Sequence, residues 1–155
     1  MTPAITSAEK SSVTYTIHEY PHDPDSTSYG AEAAAKLGVP EHRVFKTLVA
    51  QLDDGSLAVA VVPVAHKLNM KLLARALGAK KAVLAAADKV QRATGYVLGG
   101  ISPLGQKRAL PTLVDASASA LDTVFVSAGR RGLEIELQPT DLLALAGASF
   151  AELCR

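Results

Sequence analysis

The chain has 155 residues, 48% hydrophobic and 20% charged, a balance that suits one compact domain with a sizeable core and excludes wholesale disorder. Sixteen basic against fifteen acidic residues leave a formal charge of +1, which excludes a broad cationic surface; any contact with nucleic acid must be local. The one cysteine, Cys154, excludes an intrachain disulfide and a cysteine-rich zinc site and points to the reducing cytoplasm. Residues 1–12 lack the basic and apolar regions of a signal peptide, and no run of about 18 apolar residues is present to span a bilayer.

Thr2 and Pro3 open a first predicted helix that continues from Ala4 to Lys10, with proline where its missing N–H does no harm. From Val13 to Tyr20 apolar and polar residues alternate, the period of a half-buried strand, and Pro21 ends it. The segment from Pro21 to Ser26 is turn chemistry, followed by a helix over Ala31 to Leu37 that Gly38 stops. Val44 to Leu52 and Leu57 to Pro63 are apolar on both faces and joined by Asp53-Asp54-Gly55-Ser56, which predicts a central hairpin.

Asn69 caps a helix running to Leu77. A short strand over Ala82 to Ala85 and a helix over Asp88 to Thr94 lead through Tyr96 into a glycine-rich loop, Gly99 to Gly105. Strands follow at Pro111 to Asp115, Thr123 to Ser127 and Leu133 to Leu137, then a helix from Pro139 to Ala146, with Phe150 to Leu153 as an edge strand. This irregular interleaving favours a mixed sheet over a doubly wound parallel one. The expected fold is therefore α/β of the α+β type: a single domain over residues 1–155, with a mixed, curved, partly barrel-like sheet surrounded by short helices.

Chemistry-bearing residues are few. The four histidines show no metal-ligand spacing, since Pro21 breaks any helix that would align His18 with His22. Cys154, close to the C-terminus, reads as a small hydrophobe rather than a nucleophile, and Ser102 before Pro103 reads as a turn residue. Gly99-Gly100-Ile101-Ser102-Pro103 is neither a Walker loop nor a dinucleotide fingerprint; local sequence favours a structural turn, although paired glycines also let backbone groups approach a ligand. Lys46 shares a strand face with Val44, Leu48 and Ala50, so it either snorkels at a strand end or is the fixed cation of a pocket. Thr47 points the other way, with a backbone N–H that could reach a ligand. Lys80-Lys81, Lys107-Arg108 and Arg130-Arg131 read as solvated surface unless two of them flank one pocket, where they would form a phosphate track.

Three stretches together, Val44 to Leu48, Thr94 to Lys107 and Gly129 to Leu137, resemble the YbaK/EbsC family of free-standing Cys-tRNA(Pro) deacylases, and the match extends from Thr2 through Tyr20-Pro21-His22-Asp23 to Phe150. The resemblance implies a trans-editing esterase that clears cysteine mischarged onto tRNA(Pro), an error expected when two amino acids differ by only ~1 to 3 kcal/mol in binding. It also implies substrate-assisted chemistry, in which the cysteinyl thiol attacks its own ester and leaves as a thiolactone. Carried over by position, Lys46 resembles the family's essential lysine, read as the anchor of the terminal adenosine phosphate. Gly99, Gly100, Ile101 and Ser102 resemble the pocket loop, Tyr20 and Tyr29 its aromatic positions, and Thr47, Ser127 and Glu134 its polar lining. Glu134 stands where aspartate is expected, and Tyr29 where phenylalanine is common. The implied protein is cytoplasmic and monomeric, uses no metal or other cofactor, meets no membrane, and binds the acceptor end of mischarged tRNA(Pro) with prolyl-tRNA synthetase as a transient partner. Removal of alanine, a broader deacylase, and a noncatalytic module for a nucleotide or an RNA end are the alternatives.

Overall fold

The computed structural model describes residues 1–155. In chain order it contains α1 (Pro3–Glu9), β1 (Tyr15–Glu19), α2 (Tyr29–Leu37), β2 (Phe45–Leu52), β3 (Leu57–Pro63), α3 (Met70–Ala76) and β4 (Ala82–Leu84). The remainder is α4 (Ala87–Thr94), β5 (Thr112–Asp115), β6 (Val124–Arg130), β7 (Leu133–Leu137), α5 (Pro139–Ala146) and β8 (Ala148–Ala151), with 3-10 turns at Glu41–Arg43 and Ala116–Ala120. No helix is long and apolar enough to cross a membrane.

The caps form where local chemistry places them. Thr2 accepts a hydrogen bond from Ile5 N at the start of α1, and Asn69 accepts one from Leu72 N at the start of α3, each pairing an otherwise orphaned amide of a first turn. Gly38, Gly95 and Gly147 end α2, α4 and α5 in the left-handed conformation.

The strands divide between two sheets. One is antiparallel, in the order β1-β7-β6; the other is mixed, in the order β4-β2-β3-β5-β8, with β2 antiparallel to β3 and β4, and β5 parallel to β3 and β8. A parallel bridge between Val44 and Phe125 ties them together. Alternation sends Phe45, Val49, Val59 and Val61 of the larger sheet and Val124, Val126, Ile135 and Leu137 of the smaller one into a shared 19-residue core. The opposite face of the larger sheet, with Ala50, Ala60 and Val62, is covered by Leu73 and Ala74 of α3. Ala33 and Ala34 of α2 pack on Val44 and Phe125 at the bridge.

The α+β architecture is as expected, and the curved arrangement stays open: the two sheets join at one bridge and no barrel closes. Several boundaries differ from the sequence reading, β1 among them, which spans Tyr15–Glu19. Helix α2 starts at Tyr29 rather than Ala31, because close packing of Gly30 on Val64 overrides glycine's poor helix propensity. Strand β6 continues through Arg130 past an irregularity between Ser127 and Arg130, and β8 lies two residues earlier than expected, at Ala148–Ala151.

Candidate functional site

A cavity of about 390 Å³ opens where the sheets diverge beyond the bridge. Lys46 and Thr47 of β2 line it, with Tyr20 after β1, Tyr29 at the start of α2, Gly99 and Ile101 of the glycine loop, Ser127 of β6 and Glu134 of β7. Gly100 and Ser102 do not reach its wall.

Strand pairing explains why the cavity sits here. Val64 N donates to Val44 O and Leu52 N to Ser56 O, so the even-numbered residues of β2 bond to β3 and the odd-numbered ones turn their backbone the other way. On that free edge β4 pairs only with Ala50 to Leu52, Ala85 N reaches Val49 O, and the bridge to β6 lies back at Val44. Thr47, opposite Val61 of β3, falls between them without a partner on this second edge. Its side chain is also unusual: Thr47 Oγ1 is buried and has no hydrogen-bond partner. A buried hydroxyl left unmatched costs about 1 to 3 kcal/mol, so Thr47 carries an unmet polar atom beside the cavity.

Lys46 leaves the other face of β2, as alternation requires, yet its half-buried chain still borders the cavity. Burial lowers its pKa, with Cys154 opposing and Lys67 adding to the shift, and no carboxylate is paired with it. Glu134 is 7% exposed, and burial alone pushes its carboxyl up to about 8. At neutral pH it is therefore mostly a neutral acid with an O–H to donate. With Glu134 neutral, Lys46 is the one cationic residue among those that border the cavity. Tyr20, raised to about 12 by burial and by Glu134, stays a neutral phenol.

Ser127 faces Glu134 directly across the β6–β7 ladder, which places both side chains on the same face of the sheet. Its hydroxyl accepts from Gly129 N at 3.2 Å, and no histidine or cysteine lines the cavity.

The glycine loop splits into two parts. Gly99, at φ +86°, presents its bare Cα to Tyr29 and Arg131, and Ile101 closes the wall behind it. Beyond that the loop is internal scaffolding: Ser102 Oγ accepts from Leu104 N at 3.2 Å, Gln106 donates to Ser102 O at 2.9 Å, and Tyr96 donates its hydroxyl to Leu104 O at 2.7 Å. Gly100 packs against the backbone of Arg130, 2.9 Å from where a Cβ would sit.

Tyr29 is held by neighbours that sequence reasoning missed. The Arg131 guanidinium lies 4.2 Å from its ring centroid and donates to Leu98 O at 2.8 Å. Glu32, one turn along α2, sits 2.6 Å from His22 Nδ1 and accepts from Asp23 N at 2.8 Å and from Lys36 at 3.1 Å. Burial opposes its ionisation, but these bonds outweigh it and hold the carboxyl at about 2. The network fastens the segment after Tyr20 to α2, and Thr27 and Ser28 of that segment also line the cavity. No periodicity marks these partnerships: His22, Asp23 and Arg131 lie in connecting segments, Glu32 and Lys36 on α2, and tertiary contact brings them together.

The family model for the aminoacyl-tRNA editing domain matches residues 23–145. A protein of Enterococcus faecalis named as the Cys-tRNA(Pro)/Cys-tRNA(Cys) deacylase EbsC is 38% identical over 98% of this chain and 92% of its own length. Part of the proline–tRNA ligase of Trichlorobacter lovleyi is 32% identical over 69% of this chain, which corresponds to 18% of the ligase. A solved structure described as a trans-editing enzyme for prolyl tRNA synthetase shares the fold with a TM-score of 0.82 at 24% identity, covering 100% of this chain and 99% of that one. With the family model spanning most of its length and a relative 38% identical across nearly all of it, the chain belongs to the aminoacyl-tRNA editing domain family.

Proposed function

We propose that this protein is a trans-editing deacylase that removes cysteine from mischarged Cys-tRNA(Pro). The observation that carries the reading is the cavity itself, which joins an unpaired ammonium, an unsatisfied hydroxyl on a bare strand edge and a neutral carboxylic acid, without a histidine or cysteine to act as base or nucleophile. Such a site can hold an ester and stabilise charge, which suits a reaction whose attacking group comes with the substrate.

The cysteinyl sulfur attacks its own ester carbonyl. A C–S bond forms, the C–O bond to the ribose breaks, and the thiol proton ends on the ribose oxygen, leaving a thiolactone and free tRNA. Lys46 anchors the phosphate of the terminal adenosine. The Thr47 and Gly99 backbones steady the ester as negative charge develops on its oxygen, and Glu134 supplies a neutral donor without cancelling the charge of Lys46. Tyr20 and Tyr29 shape the aminoacyl and adenine ends, with Ser127 between them. The similarity to a segment of a proline–tRNA ligase supports prolyl-tRNA synthetase as a transient partner. In this reading the protein works as a cytoplasmic monomer, and the chemistry calls for no cofactor.

The test is release from Cys-, Ala-, Ser- and Pro-tRNA(Pro) in parallel, with and without the synthetase. Cysteine should be released and serine, which exchanges sulfur for oxygen, should resist. Equal release of serine would remove the thiol mechanism, preferential release of alanine the cysteine specificity, and no release from any substrate the enzymatic reading.

A further inference from the structure

A second groove lies at the other end of β2, about 520 Å³ in volume, walled by Lys89 and Arg92 of α4, by Arg108, and by Gln51 and Ser56 at the hairpin. We propose that this groove binds the sugar–phosphate backbone of an RNA duplex, as a site separate from the cavity; the identity of that RNA as the acceptor stem rests on the deacylase reading above.

Three cations line the groove and no acidic side chain does. Lys89 donates to the neutral amide of Gln51 at 3.2 Å and keeps its charge uncompensated. Arg92 pairs with Asp88, but both partners are exposed, at 74% and 72%, and such pairs are weak and exchangeable. The acids of the hairpin are engaged elsewhere: Asp53 accepts from the amides of Lys80 and Lys81, and Asp54 accepts from Ser56. In a chain of formal charge +1, this gathering of cations is a local feature.

Position distinguishes an RNA backbone from an acidic protein surface. Thr47 in the cavity and Gln51 in the groove lie on the same face of β2, four residues apart, or roughly 13 Å at the rise of a strand. The chain that forms the groove wall in α4 runs on through Tyr96 to Gly99 on the cavity wall, and Arg108 N and Lys107 N donate to Ala93 O and Thr94 O, which locks the Arg108 segment to that same stretch. A nucleic acid whose terminus enters the cavity thus has its preceding phosphates within reach of the three cations.

The experiment compares the wild type with the triple variant Lys89→Ala/Arg92→Ala/Arg108→Ala on two substrates: full-length Cys-tRNA(Pro), and a short cysteinylated 3′ oligonucleotide that ends before the duplex. On the full-length substrate the variant should show KM raised about tenfold or more at low salt, kcat unchanged, and a log–log salt slope reduced by about 2 to 3 units, one phosphate contact per cation. On the short substrate the two proteins should match. Unchanged KM and slope on full-length tRNA, or an equal loss on both substrates, would overturn the proposal. Binding of an uncharged acceptor hairpin by fluorescence anisotropy gives a readout that needs no catalysis. If the wild type cleaves neither substrate, the deacylase reading fails while weaker hairpin binding by the variant still supports the groove. Undiminished hairpin binding, combined with loss of a response to added synthetase, would make the groove a protein-docking surface and overturn the RNA assignment.

Discussion

A Cβ built on Gly99 would lie 2.7 Å from Tyr29 Cε2, so the glycine loop and the first turn of α2 are in contact through the absence of a side chain. Gly99→Ala meets two penalties: a positive φ that costs a non-glycine residue about 1 to 3 kcal/mol, and a collision with Tyr29 and Arg131 at the cavity wall. The variant should show a lowered melting temperature and a raised KM for deacylation, and paired thermal and kinetic measurements check both. An unaltered KM would detach this contact from substrate binding.

Thr47→Val should move stability and activity in opposite directions. The substitution deletes a buried hydroxyl that has no partner, so the urea midpoint should rise by the equivalent of about 1 kcal/mol. If that hydroxyl bonds to substrate, kcat/KM should fall roughly tenfold, the worth of one hydrogen bond. A fall in both quantities would mean that the hydroxyl has a structural partner.

Lys46→Met should cost activity without costing stability. Burial disfavours the charged ammonium in the folded state, which lowers its pKa, and no paired carboxylate is orphaned when it goes. The melting temperature should hold or rise, while kcat/KM falls by about 10²- to 10³-fold, as when one preorganised charge-stabilising donor is removed. A folded variant with undiminished cleavage would falsify the role given to Lys46.

Glu134 should set the alkaline limit of the enzyme. Its folded pKa of about 8 lies above the ordinary value of 4.5, so the penalty is absent below about 4.5, grows as the pH rises toward 8, and levels off beyond. Ionisation also places a negative charge on the wall of the cavity that Lys46 borders and opposes the binding of an anion there. Deacylation should therefore lose affinity as pH passes 8, and Glu134→Gln should abolish that loss and flatten the dependence of the urea midpoint between pH 6 and 9. A glutamine variant that keeps the wild-type profile would assign the titration to another group.

Glu32 works with the opposite sign. Its folded pKa of about 2 is below the ordinary carboxylate value, so its contribution to stability is complete above about 4.5 and is lost as pH falls toward 2. Glu32→Gln should lower the urea midpoint at pH 7 and remove part of the decline between pH 5 and 2. Hydrogen exchange in the segment after Tyr20 should accelerate in the same variant, since His22 and Asp23 lose their anchor.

Features set within a few residues were readable from sequence: the Thr2 and Asn69 caps, the hairpin across Asp53 to Ser56, and the Pro139-to-Gly147 limits of α5. What depends on distant contact was not. The parallel neighbours β5 and β8 meet through long crossovers, and the start of α2 is decided by Val64, which lies 34 positions beyond Gly30. Alternation correctly separated Lys46 from Thr47, but it offered no reason for both to border one cavity; that follows from the shortness of β4. The loop from Gly99 to Ser102 carried one local signature, yet only Gly99 and Ile101 reach the wall, because the bonds that turn Ser102 inward come from Leu104 and Gln106.

The length of β4 has a consequence for how this recess can change. Its three residues leave a seam in the ladder, so the void belongs to the main chain and is not carved by the side chains around it. Three more residues of pairing would bring β4 opposite Thr47 and zip that seam shut with every lining identity intact. Trimming β4 would instead widen the opening, so the size of the guest is governed by strand span and its chemistry by the residues alongside.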